Sequence, residues 1–248
     1  IPVSSEGMFV LAKVKLFHSS LNIQDLILQS LFLHLGTLLA ALVYFRTEIS
    51  CLLKAIFVFS KATPETKNTF LFLFLTTIIS GILGAVILWC VKHFSVYFEG
   101  SGKIITILIS ILLIVTAALQ LRSKDEGKKN ANNLKPMDGV ALGLVQGVAV
   151  LPGLSRSGTT IACLLMKGFD KTVSLRLSFL MSMPIIFAGN VIFNLRQAQF
   201  SAENITSLAV SFLVGLVSIK LLFKIASKMN FGLFVLFFAL LVLSSVFF

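Results

Sequence analysis

The sequence predicts an all-α polytopic membrane protein built as an inverted repeat. Each half is a re-entrant helix-loop-helix followed by three transmembrane helices, with the first re-entrant helix missing at the N-terminus. Three observations lead there. The 248 residues are 57% hydrophobic and only 12% charged, whereas a soluble domain carries about 25% charge; the mean hydropathy is +0.99. Six apolar runs are long enough to cross a bilayer, and two further apolar stretches are interrupted by similar polar signatures. This composition excludes a soluble domain, a disordered chain and a disulfide scaffold. It places the whole chain, 1–248, in one domain of a multi-pass protein of the cell membrane.

A hydrocarbon core of about 30 Å takes about 20 apolar residues as a helix. The runs Leu26–Phe45, Thr69–Cys90, Ile104–Leu121, Val173–Phe193, Ile205–Phe223 and Phe231–Phe248 meet that length. Gln29, Ser30 and His34 turn the first run toward protein rather than lipid, and His34 reads as a hydrogen-bonded packing histidine rather than a proton shuttle. The three cysteines, Cys51, Cys90 and Cys163, have no metal-type spacing and read as small apolar fillers. The chain opens on Ile1 with no basic leader or cleavage site. A clipped N-terminus is expected there rather than a removed signal peptide.

Ile1–Leu16 and Asp138–Met166 fail to span. The second is apolar at both ends and broken by Pro152-Gly153-Leu154-Ser155-Arg156-Ser157-Gly158. That pattern fits a helix-loop-helix entering and leaving on one side, with its irregular backbone buried in protein or lining a cavity. Gly139, Gly143 and Gly147 recur at every fourth residue, a smooth stripe for close helix packing. The opening stretch carries the related signature Pro2-Val3-Ser4-Ser5-Glu6-Gly7, and Ser30-Leu31-Phe32-Leu33 answers Ser178-Phe179-Leu180-Met181 after it. The halves are therefore 1–121 and 138–248, joined by a polar linker at 122–137. Three spans per half is an odd number, so the second half is inverted. Such repeats bind their ligand where the broken elements meet.

The net charge of +11 sits mostly in the gaps between runs. The gaps at 46–67, 122–135, 167–176 and 220–228 hold fifteen Lys and Arg, against five at 13–15, 92–103 and 196. The richer side is expected in the cytoplasm, with both chain ends outside. Anionic headgroups of the bilayer, not nucleic acid, are the partners this charge implies. A second copy of the chain is a further candidate partner.

Arg156 inside an apolar segment is costly and marks a functional site. Ser155, Ser157, Thr159 and Thr160 surround it, and Gly158 frees the backbone at a helix start. Hydroxyls, helix N-terminal amides and a guanidinium fork together suit an anion, phosphate best of all. A structural arginine bonded to loop carbonyls is the competing reading. In the facing loop, Ser4, Ser5 and Glu6 have the chemistry of a nucleophile, base or metal ligand, or of a plain helix cap. The residue types leave both open.

Pro2-Val3-Ser4-Ser5-x-Gly7, His34-Leu35-Gly36-Thr37 leading to Val43-Tyr44-Phe45-Arg46, and Gln146-Gly147-Val148-Ala149-x-x-Pro152-Gly153-x-Ser155-Arg156-Ser157-Gly158 resemble the undecaprenyl-diphosphatase (bacitracin-resistance) family across nearly the whole chain. The resemblance implies a membrane phosphatase that converts polyprenyl diphosphate to its monophosphate, recycling the carrier for cell-wall and surface-glycan synthesis. It also implies a divalent cation, Mg2+ or Ca2+, and a site opening outward. Ser5 and Arg156 are the implied catalytic pair. Ser4, Ser155, Ser157, Gly158 and Thr160 would bind phosphate, supported by Glu6, Gln146 and Gly153.

Two departures matter. Met8 stands where the family has a histidine, so an imidazole is absent there. The family's upstream acidic motif would lie before Ile1, which leaves Glu6 as the candidate metal ligand. Residues 1–248 alone are accordingly expected to cleave a diphosphate lipid poorly. The alternative is a transporter or flippase for an anionic lipid or small anion, using the same phosphate site. The membrane phosphatases with Ser-Arg followed six residues later by His are excluded, because position 162 is Ala. Accessibility labelling of cysteines introduced into a cysteine-free background tests the orientation. The 122–135 linker should label from the cytoplasmic side and Phe248 from outside; labelling of the linker from outside would overturn the inverted repeat.

Overall fold

The computed structural model describes residues 23–94, 102–122, 127–151, 154–193 and 201–225, with single helical residues at 233, 236, 237, 239 and 240. The expected broken segment at Ile1–Leu16 and most of the expected span Phe231–Phe248 lie outside them. Among the described residues the chain is helical: α1 (Ile23–Tyr44), α2 (Arg46–Phe57), α3 (Pro64–Phe94), α4 (Gly102–Arg122), α5 (Pro136–Val148), α6 (Arg156–Met166), α7 (Lys171–Phe193) and α8 (Ala202–Ile225). Three of these helices are long and apolar enough to cross a membrane, or four if the bent pair α1–α2 is one span. The protein is therefore a multi-pass membrane protein.

Two differences from the expected elements have physical causes. The gap at 46–68 contains α2, bent by 84° from α1. The hydrogen-bond ladder carries through the corner, from Phe45 N to Ala41 O at 2.9 Å and from Ile49 N to Phe45 O at 3.0 Å. Phe45 is buried against Phe179 and Phe223, at centroid distances of 6.0 and 5.9 Å. Arg176 of α7 reaches Glu48 of α2 at 3.4 Å and Glu65 of α3 at 2.8 Å. Half-exposed ion pairs of this kind add little stability, but these fix where α2 lies. The second span also starts earlier than Thr69. Pro64 occupies a first-turn position that needs no N–H, Glu65 follows it, and Thr63 Oγ1 accepts from Thr66 N at 3.2 Å.

The broken segment at 138–166 is two helices, α5 and α6, with 149–155 between them. The glycine stripe lays α5 against α3. A Cβ at Gly139, Gly143 or Gly147 would come within 3.0, 2.8 and 2.8 Å of Leu75, Ile79 and Leu83 Cβ, so close packing requires glycine at all three. Thr76 Oγ1 donates to Gly139 O at 3.2 Å across the same seam. A second close seam joins α1 to α8, where Gly36 meets Ser211 and Gly215 meets Ala40. Apolar spans gain nothing from leaving lipid for one another, so small residues that let backbones approach carry their association.

α6 ends where Gly168 takes φ +83°, a left-handed conformation that glycine adopts without strain. Phe169 N donates to Leu164 O at 3.1 Å and Gly168 N to Leu165 O at 2.8 Å, the Schellman closure. The linker is pinned to this turn, with Lys129 N on Gly168 O at 3.0 Å and Asp170 N on Lys129 O at 2.9 Å. Phe72, Leu142, Leu164, Phe169, Leu177 and Met181 form a buried cluster that locks α3, α5, α6 and α7 together. Gly143→Val should force the α3–α5 seam apart and lower stability by about 1–3 kcal/mol. Thermal unfolding in detergent measures this, and an unchanged melting temperature would contradict the seam.

Candidate functional site

The site begins where α5 stops. Short turns take up the loop carbonyls, with Val150 N on Gly147 O at 3.4 Å, Leu151 N on Val148 O at 3.2 Å and Leu154 N on Leu151 O at 3.1 Å. Ser155 then starts α6 as its N-cap, its Oγ accepting from Gly158 N at 3.1 Å. Serine's preference for the N-cap explains this residue, which the sequence offered only as a phosphate-binding hydroxyl. Ser155 Oγ also lies 3.5 Å from Ser157 Oγ.

Arg156 is the first residue of α6 and donates from Nη1 to Ser178 O on α7 at 3.3 Å. Arg156 and Ser157 are partly exposed, whereas Ser155, Gly158, Thr159 and Thr160 are buried. Arg156 and Ser157 are thus the more accessible residues of this helix start, and the other polar groups lie buried around them. Thr160 Oγ1 contacts Arg156 O at 2.8 Å and Ser178 Oγ at 2.8 Å, joining the first turn of α6 to α7. Thr159 Oγ1 donates back to Ser155 O at 3.0 Å.

Gly158 acts by close approach. A Cβ there would come within 2.6 Å of Gln120 Nε2 and 2.8 Å of Thr116 Cγ2, so glycine lets α4 pack on the start of α6. The expected backbone freedom is not used, since Gly168 alone among the described glycines has positive φ.

Gln146 is buried on α5 and donates from Nε2 to Ser80 Oγ at 3.0 Å and to Met181 O at 3.3 Å. It thus meets α7 about one turn from Ser178. Ser4, Ser5, Glu6, Met8 and Gly153 lie outside the described residues. Two residues of the site went unanticipated: Ser178, whose carbonyl accepts from Arg156 and whose Oγ meets Thr160 Oγ1, and Gln120, which abuts Gly158. The spacing of Ser174, Ser178 and Ser182 was the available signal for the first. All three are buried, a hydroxyl stripe along an apolar span.

Among the described residues no group of three or more His, Cys, Asp or Glu is placed to hold a metal ion. The described donors do not by themselves fit a divalent cation.

Fold and site together define a multi-pass membrane protein with an arginine-led helix start set between packed helices. A family model described as Bacitracin resistance protein BacA matches residues 1–244, and the chain belongs to that family. It is 39% identical over 240 residues to a protein of Methanococcoides burtonii named undecaprenyl-diphosphatase, covering 94% of this chain and 88% of that one. Proteins of the same name from Methanothrix thermoacetophila and Haloarcula marismortui are each 32% identical. The first match covers 94% of this chain and 86% of the relative, the second 93% and 86%.

Thr160→Val keeps the shape and removes the hydroxyl joining α6 to α7. It should cost about 1–2 kcal/mol, and a double-mutant cycle with Ser178→Ala should show coupling above about 0.5 kcal/mol. Strictly additive losses in unfolding measurements would disprove the link.

Proposed function

We propose that this chain is a membrane phosphatase that hydrolyses polyprenyl (undecaprenyl) diphosphate to the monophosphate and phosphate, recycling the lipid carrier for cell-wall and surface-glycan synthesis. The observation that carries the reading is Arg156, partly exposed at the first residue of α6 in a chain of the BacA family. Relatives that align with nearly all of the chain carry a phosphatase name, and the transporter reading finds no such support.

In the reaction an oxygen nucleophile bonds to the terminal phosphorus, and the bridging P–O bond breaks. Its electron pair leaves on the lipid's own phosphate. Water is consumed overall, giving phosphate and the lipid monophosphate. The Arg156 fork meets two phosphoryl oxygens as charge builds on them, and the first-turn amides of α6 that Ser155 does not take add their dipoles. Ser157, the next residue and also partly exposed, offers a hydroxyl. Ser155 sets the helix start, Thr160 positions it against α7, Gln146 ties α5 to the same helix, and Gly158 admits α4. The roles of Ser5, Ser4, Glu6 and Gly153 rest on the resemblance, with Ser5 the nucleophile or the residue that positions one. A divalent cation belongs to this proposal, with Glu6 as its candidate ligand; it would neutralise charge on the phosphates.

The same proposal includes the inverted repeat. Exchange of the halves maps α1 onto α7 and α3 onto α8. The contact of α1 with α8 then corresponds to that of α7 with α3, and the α1–α7 contact maps onto itself. All three contacts occur, which supports the exchange. Cytoplasmic placement of the basic side, an outward-opening site and association with a second copy complete the reading.

Lysine offers a point charge where arginine offers a planar fork. Arg156→Lys in the full-length gene product should lower phosphate release from undecaprenyl diphosphate by on the order of 100-fold while expression and melting stay unchanged. Near-normal turnover would remove Arg156 from the site.

A further inference from the structure

The elbow between α1 and α2 carries a cationic groove that no α6 residue lines. α2 turns one face to the bundle, where Ala55 is buried and Glu48 pairs with Arg176. Its other face carries Arg46, Ser50, Leu53, Lys54 and Phe57, which with Ile49 and with Leu42 of α1 line an open groove of about 420 Å³. That is within the usual size range of small-ligand sites.

The charge of the groove is one-sided. Glu48 is the single acid of α2 and is turned to Arg176, so the lining holds two cations and no carboxylate. Neither Arg46 nor Lys54 has an ion pair among the described residues. Part of the apolar lining is bare: Leu53 is 54% and Phe57 87% exposed, and the surface continues over Val58 and Phe59. A short helix bent across the end of a span, apolar outward and basic at its rim, has the make-up of a segment lying in the headgroup layer. Long basic side chains there reach for phosphates while their stems lie on apolar surface.

We propose that this groove binds an anionic phospholipid. Arg46 and Lys54 hold the headgroup phosphate, and the acyl chains lie over Leu42, Ile49, Leu53 and Phe57. A second copy docked by two-fold symmetry would bring these cations against their own equivalents, which is repulsive. A free inorganic anion would leave the apolar lining unused. The site rests on membrane insertion and is independent of the hydrolytic reading.

Native mass spectrometry of the purified protein, titrated with phosphatidylglycerol or phosphatidylcholine of matched chains, tests this. Phosphatidylglycerol should bind about tenfold more tightly, the scale that two headgroup-facing cations give after screening. Arg46→Gln with Lys54→Gln should abolish the preference and leave phosphatidylcholine binding and melting unchanged; either single change should give a partial loss. Lys61→Gln with Lys220→Gln, two exposed cations that do not line the groove, should keep it. A preference retained in the Arg46/Lys54 variant, or lost equally in the Lys61/Lys220 variant, would overturn the proposal, as would a wild type that binds both lipids alike or closes the groove by dimerising.

Discussion

A guanidinium at the start of a helix inside an apolar bundle sets the terms for everything around it. Arginine stays charged in any protein environment and has five donors to satisfy, so oxygens must come to it. One comes from α7, whose Ser178 carbonyl accepts from Nη1. The helix start must also be completed without water. Ser155 caps the Gly158 amide, and the threonine hydroxyls turn back onto carbonyls of the same turn. The polar residues of 155–160 thus divide into a supporting set, buried and mutually bonded, and a facing set of Arg156 and Ser157.

Holding that arrangement in place requires both limbs of the broken segment to be fixed, and they are fixed to different helices. α5 lies along α3 through Gly139, Gly143 and Gly147, and α6 meets α4 through Gly158. The two limbs are thus held by two different seams and joined to each other through the buried cluster around Leu142 and Leu164. Glycine serves each seam for the same reason, since a single added Cβ would fall inside contact distance. The lipid-like exterior gives these helices no other strong reason to stay together.

The sequence made three or four of the six expected spans legible, because bilayer thickness imposes a length, and it exposed the helix-loop-helix because a Pro-Gly-rich polar stretch interrupts an apolar one. The α5 stripe was legible as packing. α2 was not: twelve residues with two cations and an acid look like a gap between spans, and only its docking by Phe45 and Arg176 makes it a defined helix. The start of α3 was visible in Thr63-Pro64-Glu65, but hydropathy alone set the boundary five residues late. In the site, residue chemistry pointed to Arg156 and its hydroxyl neighbours. It could not divide them into supporting and facing groups, because that depends on which side of α6 meets α7 and α4. Gly158 illustrates the limit, since only the neighbouring helix reveals that its small size matters.

α7 supplies more of the site than its apolar sequence suggests. Pro184 within it has no N–H for the carbonyl four residues earlier, that of Leu180, and carbonyls on either side of Leu180 take side-chain donors: Arg156 on Ser178 O, Ser182 Oγ on Phe179 O at 2.6 Å and Gln146 on Met181 O. These donors come from α6, from α7 itself and from α5. One stretch of α7 thus gathers both limbs of the broken segment onto a single wall. Buried Ser174, Ser178 and Ser182 line that helix at intervals of one turn. An apolar span thereby becomes an acceptor surface for a cationic helix start, and the membrane's demand that backbone groups be satisfied within the protein is met by the same bonds that hold Arg156.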